Sequence, residues 1–243
     1  MKKLSLLSFL SLCLSVAILS SFKTNSAKAR DEQTRTVSSF TRIGLAYPAH
    51  VVLKQGGSQS IKLEGEADQL TEILTEVEGG KLVIKRKNDG KWFNWNNSGN
   101  DKRVTIYITA PKLDGLSVSG SGQIRTEDTF KTTSMELAVS GSGSIKLNTN
   151  AQEVISRISG SGSIEVKGEC ERAQASISGS GSMRGYDLKT DEAKISISGS
   201  GSCEVYAKKL LKANISGSGR VYYDGQPNVD SRVSGSGSVK RRS

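Results

Sequence analysis

The chain is predicted to be all-β, a right-handed parallel β-helix (a β-solenoid) of about seven coils preceded by irregular β-strands continuous with it. Three observations predict this. The tetrapeptide Ser-Gly-Ser-Gly begins at Ser119 and recurs from Ser140, Ser159, Ser178, Ser198, Ser216 and Ser234, at intervals of 21, 19, 19, 20, 18 and 18 residues. That period belongs to solenoids rather than to a flexible linker. Each copy is framed by apolar residues: Val or Ile just before it, as at Val118 and Ile197, and Ile, Met, Cys or Val five residues after its first serine, as at Ile124, Met183 and Cys203. Finally, the frame keeps phase. Ile195, Ile197, Gly199, Gly201, Cys203 and Val205 alternate with Ser196, Ser198, Ser200, Ser202 and Glu204, as an extended chain with one buried face requires. On this parity both glycines of a motif point inward and both serines face water. A disordered linker needs only to be polar and flexible, so it has no reason to hold such a phase.

The elements follow in order along the 243 residues. Residues 1–29 read as an export signal: Lys2 and Lys3, an apolar run from Leu4 to Leu19 diluted by serine, then Ala27-Lys28-Ala29 as an A-x-A cleavage site. The run falls short of the roughly 20 residues that span a bilayer, so no transmembrane span is expected in the mature chain. Leu10-Ser11-Leu12-Cys13 has the look of a lipobox. Leu12 stands where a small residue is wanted and Cys13 lies inside the apolar run, so cleavage near Ala29 is preferred over lipidation. Residues 30–115 are read as an N-terminal β region leading into the solenoid, and residues 116–243 as the repeat β-helix.

Within the first region Phe40 to Leu45, His50 to Lys54 and Ser60 to Glu64 are short strand candidates, with Gln55-Gly56-Gly57-Ser58 as a turn between the last two. Ala67 to Leu74 has the length of one or two helical turns. Thr75-Glu76-Val77 and Lys81-Leu82-Val83-Ile84 flank Glu78-Gly79-Gly80 as a hairpin. Arg103 to Ala110 alternates Val104, Ile106 and Ile108 against Thr105, Tyr107 and Thr109.

From Leu116 each repeat reads as one coil: a strand enters the motif, the motif passes or bends, a second strand leaves it, and a polar turn returns the chain. Glycine lets the backbone approach the core or bend sharply where a Cβ would clash. Burial of roughly 1.5 to 3 kcal/mol per apolar side chain becomes useful only when neighbouring coils cover each other, so several repeats are needed.

The run Val51-Val52-Leu53-Lys54-Gln55-Gly56, with Gly80-Lys81-Leu82-Val83-Ile84, Val104 to Pro111 and Leu116-Ser117-Val118-Ser119-Gly120-Ser121-Gly122, resembles the auto-transporter adhesin, head GIN domain family, a domain of unknown function. The resemblance covers about residues 37 to 240. It implies an exported bacterial protein with a β-helix fold and no established activity, and its label points to adhesion. A true auto-transporter carries a membrane barrel, and none is expected to form from Lys240-Arg241-Arg242-Ser243 after Val239. No functional residues come with the resemblance.

Composition narrows the function classes. The formal charge of +10 falls to +6 when residues 1–29 are removed, because they hold four lysines and no acidic residue. The basic residues are scattered and no recognition motif appears, so no nucleic-acid partner is expected. Cys170 and Cys203 sit at different offsets two coils apart, about 9.6 Å at about 4.8 Å per rung. A disulfide needs Cα atoms within about 7 Å, so two packed thiols are expected.

No catalytic site, metal site or cofactor is expected. Parallel β-helices host polysaccharide lyases and hydrolases that use clustered carboxylates, but the position after each second apolar residue reads Arg125, Lys146, Glu165, Arg184, Glu204, Tyr222 and Lys240, not an acidic column. His50 is the single histidine and reads as a structural or surface residue. There is no G-x-S-x-G elbow and no calcium-binding nonapeptide aspartate.

Binding is the better-supported class, with a glycan, a cell-envelope component or a protein as partner. Both tryptophans fall in a polar stretch between strand candidates, and Trp92, Phe93, Asn94, Trp95 and Asn96 are the candidate ligand-binding residues. Aromatic faces with amide donors and acceptors suit a sugar or a protein surface; alternatively these aromatics cover an end or side of the solenoid. The outward serines form a second candidate, two parallel columns of seven hydroxyls that could template ice or a crystalline polysaccharide. A spacer without a ligand and a polysaccharide-acting enzyme are the remaining alternatives. The protein is expected in the periplasm or at the cell surface, as a monomer or a weak end-to-end dimer.

Overall fold

The computed structural model describes residues 30–87 and 103–242. These residues form eighteen strands and one short helix. β1 (Asp31–Arg35), β2 (Arg42–Ala46), β3 (His50–Gln55) and β4 (Ser60–Gly65) come first, then α1 (Ala67–Thr71) and the antiparallel hairpin of β5 (Ile73–Glu78) and β6 (Lys81–Arg86). The hairpin turns on Gly79 and Gly80, at φ of 55° and 73°, a pair of left-handed residues that matches the twist of the flanking strands. β7 (Thr105–Ala110) and β8 (Gly115–Gly120) lead into the repeats: β9 (Gln123–Gly141), β10 (Ser144–Gly160), β11 (Ser163–Gly179), β12 (Ser182–Gly185), β13 (Leu188–Gly199), β14 (Ser202–Tyr206), β15 (Leu210–Gly217), β16 (Arg220–Asp224), β17 (Asn228–Ser234) and β18 (Ser238–Arg241).

The coils stack as a parallel β-solenoid of about seven turns with two facing sheets. The first runs β5, β6, β2, β8, then the second halves of β9, β10 and β11, then β13, β15 and β17. The second runs β1, β4, β7, β3, then the first halves of β9, β10 and β11, then β12, β14, β16 and β18. The N-terminal strands therefore extend both sheets. β3 and β4 are neighbours in sequence across Gly56-Gly57, yet they do not pair, because β7 lies between them, parallel to β3 and antiparallel to β4.

Each Ser-Gly-Ser-Gly is the corner between the sheets, and its two glycines do different work. The first takes a positive φ, from 93° at Gly120 to 116° at Gly235, and is half-buried or exposed. The expectation that both glycines point inward is corrected here: strand parity stops at a left-handed residue, which turns the chain instead of burying itself. The second glycine, from Gly122 to Gly219, is buried. A Cβ on Gly181 would stand 2.4 Å from Ile158 Cγ2 and 2.9 Å from the carbonyl oxygen of Gly162. The corners are tied rung to rung, with the Ser180 and Ser182 N–H groups donating to the Gly160 and Gly162 carbonyls at 3.0 Å each.

The core lies between the sheets as ladders of like residues. Ile145, Ile164, Cys203 and Val221 are fully covered, and Val139, Ile158, Ile177 and Ile197 nearly so. Cys170 and Cys203 are both free and buried, as their offsets predict. The opposite corner is irregular, and the variation in repeat length is absorbed there. Lys146 pairs with Arg125 but Asn148 pairs with Thr129, so the longest coil bulges between those points while its Ser-Gly-Ser-Gly corners stay in register.

Candidate binding groove and relatives

The outward faces of the two sheets differ in chemistry. On the second sheet several exposed cations meet carboxylates: Lys54 bridges Glu127 at 3.0 Å, Lys146 and Lys167 approach Glu165 at 3.6 and 3.5 Å, and Lys167 reaches Asp187 at 3.2 Å. Such surface pairs contribute little stability each. The first sheet presents two columns of mostly small side chains instead, the second interrupted by two arginines. Ser119, Ser140, Ser159, Ser178, Ser198, Ser216 and Ser234 stand in unbroken register across seven strands. The parallel column two residues earlier reads Ser117, Ala138, Arg157, Ser176, Ser196, Asn214 and Arg232.

The columns wall an open groove of about 880 Å³ along the solenoid. Its floor is the strand position between them, from Val118 to Val233, whose side chains turn inward to meet the second glycines, as Ile177 Cγ2 does 2.6 Å from where a Gly201 Cβ would be. At the N-terminal end Gly44, Leu45 and Ala46 of β2 with Lys81 and Val83 of β6 continue the groove. Lys81 lies across Gly44, where a Cβ would stand 2.5 Å from Lys81 Cε and 3.3 Å from Ser117 Oγ. A groove follows from repetition itself, since identical small residues at identical offsets leave the same space in every rung.

Of the two site candidates in the sequence, the structure places one of the two columns of motif serines, Ser119 to Ser234, in this groove, while the other, Ser121 and its equivalents, lies at the corner and does not line it. Trp92, Phe93, Asn94, Trp95 and Asn96 lie outside the described residues. The flanks of their segment are defined: Arg86 packs its guanidinium 5.7 Å from the Tyr47 ring, and the His50 N–H donates to the Val104 carbonyl at 2.9 Å. His50 is half-buried; burial, and then the nearby Arg103, hold its imidazole below the usual pKa, with the Gln123 side chain as a hydrogen-bond partner. Among the described residues no three His, Cys, Asp or Glu side chains gather to hold a metal ion, and no helix is long and apolar enough to cross a membrane.

Residues missed in the sequence are Lys81, Arg157 and Arg232. The signal for the arginines was present: both stand two residues before a motif serine, at a position otherwise filled by Ser, Ala or Asn. Lys81 was not findable this way, because its place depends on β6 pairing with β2.

Solved structures share the fold. A putative adhesin from Bacteroides fragilis is 21% identical, with a TM-score of 0.80, over 89% of this chain and 98% of that one. A putative lipid binding protein from Parabacteroides distasonis is 25% identical, with a TM-score of 0.69, over 89% and 98%. A putative adhesin from the same organism is 20% identical, with a TM-score of 0.70, over 88% and 97%. Among curated proteins none is significantly similar. The family model described as "putative auto-transporter adhesin, head GIN domain" matches residues 39–227, nearly the whole solenoid with its N-terminal strands, and the chain belongs to that family.

Proposed function

We propose that this protein is an exported, non-enzymatic adhesin-like binding module that holds an extended glycan along the groove of the first sheet. The observation that carries this reading is the groove itself: about 880 Å³, continuous over successive rungs and walled by hydroxyls in register. A linear polymer repeats its contacts along its length, and a stack of coils repeats its donors and acceptors about every 4.8 Å. Hydroxyls donate and accept, so they match sugar hydroxyls without desolvating a fixed charge. The aromatic stretch with Trp92, Phe93, Asn94, Trp95 and Asn96 is proposed to add stacking contacts to the same ligand.

The name of the Parabacteroides distasonis neighbour favours a second reading, an acyl chain in the same groove. The serine hydroxyls along the walls favour the glycan, whereas the apolar floor from Val118 to Val233 is the feature an acyl chain would use. Export is proposed on the Lys2-Lys3 start, the apolar run and Ala27-Lys28-Ala29, with residence in the periplasm or at the surface. Protease shaving of intact cells separates the two locations.

Glycan-array binding tests the function. A Ser159→Tyr/Ser198→Tyr variant, which fills the groove from exposed positions, is expected to lose array binding while its melting curve stays unchanged. Binding that survives it refutes the groove. Loss of binding in Trp92→Ala/Trp95→Ala supports the aromatic contribution, and unchanged binding removes it.

A further inference from the structure

Resting on the groove reading above, we infer that the groove takes an acidic polysaccharide, a linear glycan carrying regular carboxylate or sulfate groups. The charged side chains that line it are Lys81, Arg157 and Arg232, all cationic, and no Asp or Glu lines it. None of the three has an ion-pair partner among the described residues. A cation left unpaired beside small neutral residues keeps its full attraction for an incoming anion, because no internal carboxylate has to be displaced first.

The spacing is that of a polymer site. Gly44, which Lys81 overlies, Ser117, Ala138, Arg157, Ser176 and Ser196 follow one another across successive strands, and Asn214 and Arg232 continue the same column. Lys81 and Arg157 are thus three rungs apart and Arg157 and Arg232 four, about 14 Å and about 19 Å at about 4.8 Å per rung. One small anion cannot meet charges so far apart. A chain bearing an acidic group every few units meets all three in turn, while the serines between them serve its neutral hydroxyls.

Carboxylates enter only outside the groove. In the next column outward, two residues before the groove wall, Lys81, Arg42, Lys194 and Lys212 stand in register with Glu136 and Asp230. The second sheet pairs several of its cations with carboxylates, while Arg184, Arg220, Lys240 and Arg241 on it have no ion-pair partner among the described residues. What sets the groove apart is a lining whose charges are all of one sign.

The test uses four forms of the protein: unaltered, Arg157→Gln/Arg232→Gln, Lys194→Gln/Lys212→Gln, and Ser159→Tyr/Ser198→Tyr. All substitutions are at exposed or half-buried outward positions. Each form is titrated with polygalacturonate, dextran sulfate, unmodified dextran, and vesicles of anionic phospholipid. The unaltered protein is expected to bind the acidic polymers at least about tenfold tighter than dextran, a difference of about 1.4 kcal/mol. Raising salt from about 0.15 M to about 1 M, which shortens the screening length from about 8 Å to about 3 Å, is expected to erase that preference.

Arg157→Gln/Arg232→Gln is expected to lose the preference, and Lys194→Gln/Lys212→Gln, which removes equal charge outside the groove, to keep it. Four results overturn the inference: no binding to either acidic polymer, equal binding to dextran, a preference that survives Arg157→Gln/Arg232→Gln, or binding to the anionic vesicles alone. Dextran binding that is blocked by Ser159→Tyr/Ser198→Tyr would leave the groove standing as a neutral-glycan site. Polymer binding indifferent to that variant would bring down the groove as well.

Discussion

Replacing Gly181 by alanine tests the packing of the solenoid at one of its Ser-Gly-Ser-Gly corners. The new Cβ would stand 2.4 Å from Ile158 Cγ2, 2.9 Å from the Gly162 carbonyl oxygen and 3.4 Å from the Gly160 carbonyl oxygen. Neither close neighbour yields cheaply: Ile158 is β-branched and stiff at χ1, and Gly162 is held in place because its carbonyl accepts from the Ser182 N–H at 3.0 Å. Relief requires the rungs to part. Overpacking of this kind costs about 1–3 kcal/mol, and weakening two corner hydrogen bonds adds about 0.5–1.5 kcal/mol each. A total near 3 kcal/mol corresponds to a fall in Tm of about 6–12 °C for a domain of this size.

Thermal unfolding followed by far-UV circular dichroism measures this, with Gly57→Ala as the control. Gly57 has no atom within 4 Å of its would-be Cβ, so its replacement is expected to change stability by no more than about 0.5 kcal/mol. If Gly181→Ala melts within 2 °C or so of Gly57→Ala, the second glycine is not there for close approach, and the account of the corner given above is wrong.

Other predictions concern buried polar groups. The Ser156 hydroxyl is buried without a hydrogen-bond partner, so Ser156→Ala is expected to raise stability by about 1 kcal/mol in chemical denaturation; a loss of that size would show that the hydroxyl is satisfied. Burial pushes the Cys203 thiol from 9.0 up to about 12. Its folded pKa is raised, so the stability linked to it is intact below pH 9 and is lost as pH climbs toward 12, with a slope of at most about 1.4 kcal/mol per pH unit. Denaturation midpoints of the unaltered protein and Cys203→Ala, compared across that window, should converge as pH rises; parallel curves would refute it. Burial also raises the Cys170 thiol, so a disulfide reagent at neutral pH is expected to leave both cysteines unmodified until denaturant is added. Rapid labelling of the folded protein would contradict the burial of whichever thiol reacts.

The architecture was largely legible because it is repetitive. A single rung carries a weak pattern, but seven copies in phase place Ile on Ile and glycine on glycine, and the strands and hairpin of the N-terminal region followed from alternation and from Gly79-Gly80. What escaped was whatever depends on a change of direction. Counting by twos carried Gly199 inward with Gly201, whereas its φ of 115° ends the strand. The insertion of β7 between β3 and β4 joins segments some fifty residues apart, which no local pattern encodes. The Ser119 column was visible as a column, but its partner in the groove is the column from Ser117 to Arg232 and not the Ser121 column that the motif suggests, because the positive-φ glycine between Ser119 and Ser121 turns the chain off that surface. Arg157 and Arg232 look like scattered basic residues until stacking puts them in line.

Variation in coil length is confined to one corner of the solenoid, as the bulge between Arg125 and Thr129 illustrates, while every Ser-Gly-Ser-Gly corner superposes on the last. Whole coils are for this reason interchangeable units. Excising one, from Ser159 through Ile177, would rejoin Ile158 to Ser178, restoring the same sequence across the seam as at Ile177-Ser178. The reach of the groove thus becomes a countable trait, lengthened or shortened by about 4.8 Å per coil through duplication or loss of a short stretch of gene, with the chemistry of each step left untouched.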